Sequence, residues 1–96
     1  MDTANPIYDQ PIVSYEEIEK ERNLAKRLKK TPWWKKKRSS GKCYYCGQKF
    51  PVQDLTMDHK MPLSRGGKST KENIVPACLG CNQKRKETHK TFVVEL

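Results

Sequence analysis

Cys43-Tyr44-Tyr45-Cys46 and Cys78-Leu79-Gly80-Cys81, with Asp58-His59, Gly66-Gly67 and Asn73 between them, decide how this chain is read. Each cysteine pair has knuckle spacing, and two knuckles can present four thiolates to one tetrahedral ion. The chain has 96 residues, of which 34% are hydrophobic and 32% charged. A unit this small and polar buries little apolar surface and needs a staple, either disulfides or a metal. Met1 to Asp9 contains no apolar run, so no secretory signal is expected there. No stretch approaches the roughly 20 apolar residues of a membrane span. A soluble protein of a reducing compartment is therefore expected, with Cys43, Cys46, Cys78 and Cys81 as ligands of a structural Zn²⁺ rather than as disulfides.

Working outward, charge narrows the partner. Twenty Lys and Arg against 11 Asp and Glu give a formal net charge of +9. Four ligating thiolates on a divalent ion remove about two of those charges. The remaining basic excess is the electrostatic footprint of a nucleic-acid binder. It is clustered, at Lys35-Lys36-Lys37-Arg38 and Lys84-Arg85-Lys86.

The segment before the first knuckle reads as an N-terminal arm and basic helix over residues 1–42. Met1 to Val13 has Pro6 and Pro11 and no periodicity, which suits an irregular arm. Ser14-Tyr15-Glu16-Glu17 has the form of a capping box. Acids follow it and bases close the segment, as the helix dipole prefers. A helix is expected from about Tyr15 to Lys30, stopped before Pro32, with a thin apolar stripe and weak packing. Trp33-Trp34 is read as cover for the small domain rather than as a base-stacking platform. Ser39-Ser40-Gly41 reads as a hinge.

From Lys42 the pattern changes. Leu55-Thr56-Met57-Asp58-His59 reads as a short strand, Met61 to Asn73 as a Gly- and Pro-punctuated loop, and Ile74-Val75-Pro76-Ala77 as a second strand. Leu79 to about Lys90 holds mostly good helix formers, and Thr91 to Leu96 is a candidate last strand. The resulting fold class is small α+β: strand, loop, strand, helix, stapled by a four-cysteine zinc site and preceded by an N-terminal helix.

Asp58-His59 stands at the end of a strand beside the glycine-rich loop. A neutral imidazole near pH 7 can take a proton from water. A carboxylate is a hard oxygen ligand suited to Mg²⁺. Asn82, directly after Cys81, would be pinned by the zinc site and could add an amide oxygen. Asn73 could hold the loop through backbone hydrogen bonds. One ion to polarise a phosphate and one base to make the nucleophile suffice for phosphodiester hydrolysis.

Taken in order, Cys43-x-x-Cys46, Asp58-His59-x-x-Pro62-x-Ser64-x-Gly66-Gly67 and Asn73-Ile74-x-Pro76-x-Cys78-x-x-Cys81-Asn82-x-x-Arg85 resemble the HNH endonuclease pattern. The resemblance runs from Cys43 to about His89, and a nuclease domain over residues 43–96 is expected. It implies a ββα-metal (His-Me finger) fold and hydrolysis of DNA, giving 5′-phosphate and 3′-hydroxyl ends. It implies His59 as general base, Asn73 as the residue ordering the loop and the base, and Asp58 and Asn82 as ligands of a catalytic Mg²⁺ or Mn²⁺. Many members carry histidine where Asn82 stands, so this is an H-N-N variant. Arg85 stands where the family often has lysine. Arg65, Lys84, Arg85 and Lys86 are expected to meet backbone phosphates, and His89 to be an exposed helix residue.

DNA, in double-stranded form, is the expected partner, with weak sequence preference and no membrane. A cytoplasmic setting, bacterial or phage-encoded, is expected. A deaminase reading fails, because no His-x-Glu precedes the second cysteine pair. The serious alternative is a non-catalytic zinc-stapled module that binds nucleic acid.

Overall fold

Ser14 starts the first helix as its sequence requires. Its hydroxyl accepts from the Glu17 N–H at 3.0 Å, and the Glu17 carboxylate accepts from the Ser14 N–H at 3.0 Å. Helix α1 spans Tyr15–Lys29 and Lys30 caps its end, one residue from the expected limit. In the computed structural model the backbone is described for residues 13–94 and the side chains for residues 13–86. The irregular arm expected over Met1 to Val13 lies outside the described residues apart from Val13.

A second short helix, α2, spans Pro32–Arg38. Pro32 is more than the stop expected from the sequence. It also opens this helix, because proline at the first helical position surrenders no hydrogen bond. Thr31 is the cap, its hydroxyl accepting from the Trp34 N–H. Trp34 is 1% exposed, while Trp33 is half-buried. The expectation that a tryptophan covers the domain thus holds for Trp34. A turn through Ser39 and Ser40 then reaches Gly41, whose φ of +69° suits a residue without a Cβ.

Two strands follow, β1 at Leu55–His59 and β2 at Ile74–Cys78. They pair antiparallel, with Leu55 opposite Cys78 and His59 opposite Ile74. Every residue of β2 is buried. Helix α3, Leu79–Val94, leaves directly from the end of β2. The last strand expected over Thr91 to Leu96 is therefore corrected through Val94: the helix continues, and residues 95–96 lie outside the described part. The order strand, loop, strand, helix matches the α+β expectation.

The core is small. Cys43, Leu55, Ala77 and Cys78 form a buried cluster against which Tyr45, Phe50 and Cys81 pack. Two of those four buried residues are cysteines, so the knuckles belong to the core rather than to a loop hung from it.

Candidate active site and thiol cluster

The first knuckle is a tight hairpin. Cys43 N–H donates to the Gln48 carbonyl, Gly47 N–H donates to the Cys43 carbonyl, and Gly47 has φ +72°. Tyr44 N–H donates to the Pro76 carbonyl at 2.9 Å, which ties this hairpin to β2. The second knuckle sits where β2 becomes α3. In each knuckle the last cysteine's N–H points at the first cysteine's sulfur, Cys46 N to Cys43 Sγ at 3.5 Å and Cys81 N to Cys78 Sγ at 3.4 Å. The four Sγ atoms lie within 4.8 Å of one another. Four tetrahedral sulfurs at about 2.3 Å from an ion fit within that spacing, so the cluster can hold a metal ion. The thiols already differ in acidity. Burial opposes ionisation of Cys43, but backbone donors from Cys46, Cys78 and Tyr45 outweigh it and hold that thiol at about 6. Hydrogen bonding to Cys78, then burial, pushes Cys81 up to about 12.

The end of β1 and the first turns of α3 form a cleft of about 190 Å³ lined by Asp58, His59, Asn82, Arg85 and Lys86. Asp58 is 9% exposed. Its Oδ2 accepts from the Tyr45 hydroxyl at 2.5 Å and lies 3.2 Å from Arg85 Nε. Burial, then the bond to Asp58, raises the Tyr45 pKa and keeps that phenol a donor. With Oδ2 occupied, Oδ1 is the oxygen left for a ligand. Asn82 is oriented by an equally definite chain. Thr56 donates its hydroxyl to the Ala77 carbonyl at 2.9 Å and so must accept from Asn82 Nδ2 at 2.7 Å. The amide nitrogen is thereby engaged and the amide oxygen of Asn82 is left over. Carboxylate and amide oxygens are the donor set of a hard divalent ion, so these two residues fit one.

His59 is held from the N-terminal helix. Its Nε2 lies 2.9 Å from Ser69 Oγ. Ser69 donates its hydroxyl to the Glu21 carbonyl at 2.6 Å, and the Glu21 carboxylate accepts from the Ser69 N–H at 2.6 Å. Because the serine's one hydrogen goes to Glu21, its oxygen accepts from His59. The proton of a neutral imidazole is thus on Nε2, and Nδ1 keeps the basic lone pair. Burial pushes the His59 pKa below the ordinary histidine value, against the raising effect of Asp58 and Glu21. The thin apolar stripe of α1 predicts weak packing. Instead α1 buries Glu21 to 8% exposure and anchors the loop that touches His59.

The loop between the strands is closed by Asn73. Its Oδ1 accepts from Met61 N–H at 2.8 Å, and its Nδ2 donates to the Met61 and Lys68 carbonyls at 3.1 and 2.8 Å. Gly67 N–H donates to the Pro62 carbonyl at 2.9 Å across the same turn.

Of the residues expected to meet phosphates, Lys86 is exposed and lines the cleft, whereas Lys84 and Arg65 are exposed outside it. Arg85 is half-buried. Besides facing Asp58 it donates to the His59 and Lys60 carbonyls at 3.2 and 2.8 Å and stacks over Tyr45 at 4.4 Å. Its fork braces the site from within. The His89 side chain lies outside the described residues. Four contributors are not evident as site residues from the sequence: Glu21, Tyr45, Thr56 and Ser69. Ser69 carries a signal, a hydroxyl in the loop beside the candidate base. Glu21 carries none, since it meets that loop from 48 residues away.

A two-stranded antiparallel sheet running into a helix, with Asp, His and Asn gathered where they meet, defines a small ββα-metal domain. Residues 43–88 match the family model of HNH endonucleases. The chain is also 28% identical over 78 residues to the CRISPR-associated endonuclease Cas9 of Corynebacterium diphtheriae. That match takes in 77% of this chain and 7% of the relative, so the chain spans a small fraction of that protein's length. Among the described residues no helix is long and apolar enough to cross a membrane.

Proposed function

We propose that this protein is a metal-dependent endonuclease that hydrolyses DNA phosphodiester bonds at the cleft of Asp58, His59 and Asn82. The carrying observation is the directed chain Glu21–Ser69–His59, which frees one imidazole nitrogen beside a carboxylate and an amide oxygen suited to a cation. The match of residues 43–88 to the HNH endonuclease family model supports the same reading.

Asp58 and Asn82 would hold Mg²⁺ or Mn²⁺, which when bound polarises the scissile phosphate and stabilises the leaving oxygen. His59 Nδ1 takes a proton from water, the water oxygen bonds to phosphorus, the P–O3′ bond breaks, and the leaving O3′ takes a proton from solvent. The ends are a 5′-phosphate and a 3′-hydroxyl. Ser69 keeps the imidazole in the tautomer this step needs. Asn73 fixes the loop carrying Ser69. Arg85 and Tyr45 hold Asp58 by Oδ2, so Oδ1 is the oxygen that would be offered to the ion. Lys86, on the cleft wall, meets a backbone phosphate, as Arg65 and Lys84 do from outside it. The thiol cluster takes Zn²⁺, which suits four sulfurs in tetrahedral spacing. One cleft per chain nicks one strand at a time, with weak sequence preference.

Relaxation of supercoiled plasmid with Mg²⁺ or Mn²⁺ tests this directly. The unsubstituted protein should nick, and His59→Ala should lose about 10²- to 10⁴-fold in rate. DNA binding without cutting across metals would instead make this a non-catalytic zinc-stapled binding module.

A further inference from the structure

We infer that the groove beside the catalytic cleft is a second phosphate-binding subsite for the nucleic-acid strand, with Arg38 at its centre and Lys29 and Lys86 at its rims. This inference rests on the reading that the cleft receives a phosphodiester. The groove has a volume of about 430 Å³, and Lys29, Trp34, Arg38, Met57, Asn82 and Lys86 are among the residues that line it. Met57, Asn82 and Lys86 also line the catalytic cleft, so the two spaces adjoin along shared walls. A strand whose scissile phosphate lies at His59 has a neighbouring phosphate to place, and this groove is the adjoining space.

The three cations come from three helices. Lys29 ends α1, Arg38 ends α2 and Lys86 projects from α3. Among the described residues no carboxylate lines the groove beside them. Among those same residues Arg38 Nε is buried and lacks a hydrogen-bond acceptor. A guanidinium with an N–H withdrawn from water and lacking an acceptor is short of partners, and a phosphodiester in the groove would supply acceptor oxygens to its outer nitrogens together with the opposite charge. Arg38 is also well mounted: Trp34, four residues earlier on α2 and 1% exposed, fixes that short helix to the core. Arg38 and Lys29 both lie outside the 43–88 segment, so this subsite is an addition made by the N-terminal helices.

The test is binding of labelled duplex DNA by fluorescence anisotropy over a salt series. The full chain carries His59→Ala, so that the probe stays intact. Arg38→Gln and Lys29→Gln should each weaken binding several-fold and reduce the slope of log K against log salt by about one. Arg38→Lys should keep the slope while losing affinity, since lysine carries the charge without the fork. Lys29 is exposed, so Lys29→Gln reads the groove even where Arg38→Gln disturbs folding. An unchanged slope in both glutamine variants overturns the subsite. Plasmid cleavage by the otherwise unsubstituted chain is scored in parallel. Cutting with unchanged slopes removes the groove alone. Reduced slopes without cutting remove the nuclease reading and keep the groove. No DNA binding by the unsubstituted chain removes both.

Discussion

Ser69 has one hydroxyl hydrogen and two neighbours that could use it. The Glu21 carbonyl takes it at 2.6 Å, and this leaves His59 Nε2 as the donor to the serine oxygen. The direction of a single proton therefore decides which imidazole nitrogen is basic. Ser69→Ala removes that decision without touching Asp58 or Asn82. Its cleavage rate should fall by about tenfold to a hundredfold, the scale of a misplaced catalytic group. The loss should appear in kcat more than in KM. ¹⁵N NMR of the histidine should show the Nε2–H form in the unsubstituted protein and a mixture of tautomers in Ser69→Ala. A variant that keeps both full rate and a single tautomer would remove the serine from the mechanism. His59, Asp58 and Asn82, which line one cleft, stand out as candidates in the sequence because each carries its chemistry in its own side chain and lies beside a cysteine knuckle or a glycine-rich loop. Ser69 and Glu21 are not, because what they do depends on which groups folding brings to them.

Gly67 shows the same contrast at the scale of the connecting loop. Its glycine pair is readable as a turn, but the reason for the second glycine is tertiary. A Cβ there would lie 1.9 Å from the Met61 carbonyl oxygen and 2.9 Å from that of Pro62, both backbone atoms with little freedom to move. Asn73 fastens Met61 through both its N–H and its carbonyl, so relief of the clash displaces the segment that follows His59. Gly67→Ala should be destabilising by about 1–3 kcal/mol, as overpacking generally is. Tm should drop by roughly 4–8 °C per kcal/mol in a domain of this size. Activity should fall more steeply than stability, and the metal content of the thiol cluster should stay unchanged. Full activity with an unshifted Tm would show that the loop yields at no cost. The strands and α3 are readable because their signals are local: β-suited residues, knuckle cysteines, a run of helix formers. Helix α2 is hidden in the sequence because Thr31-Pro32 carries two meanings, an end for the helix before and a cap and first position for the helix after. Only the packing of Trp34 decides for the second.

At the scale of the molecule, the chain joins a core whose four thiols can hold a metal ion to a helix that core does not contain. Cys43 and Cys78 make up half of the buried cluster, so a chain stripped of an ion held there would have unligated thiols at the centre of its fold. A chelator strong enough to take the ion should abolish the cooperative thermal transition in circular dichroism. Mild EDTA, which strips only the weaker oxygen site, should stop cleavage and leave that transition intact. Unaltered melting after complete metal removal would make the staple dispensable. The N-terminal helix is the opposite case. It reaches the loop that orders His59 through two hydrogen bonds between Glu21 and Ser69. Deleting residues 1–30 therefore spares all four cysteines, Trp34 and both strands, but leaves the Ser69 N–H without its acceptor and its hydroxyl free to turn toward the imidazole. The truncated protein should retain one equivalent of thiol-bound metal, measured by release to a colorimetric chelator. At saturating DNA, where the loss of Lys29 from the groove does not register, it should cleave about tenfold to a hundredfold more slowly than the full chain, matching Ser69→Ala in size, because both lose the same proton direction. Adding Ser69→Ala to the truncation should then lower the rate little further, since two changes along one hydrogen-bond chain do not add. Additive losses would mean that α1 serves the reaction by another route, and undiminished cleavage would mean that the segment from Thr31 onward orders its own base.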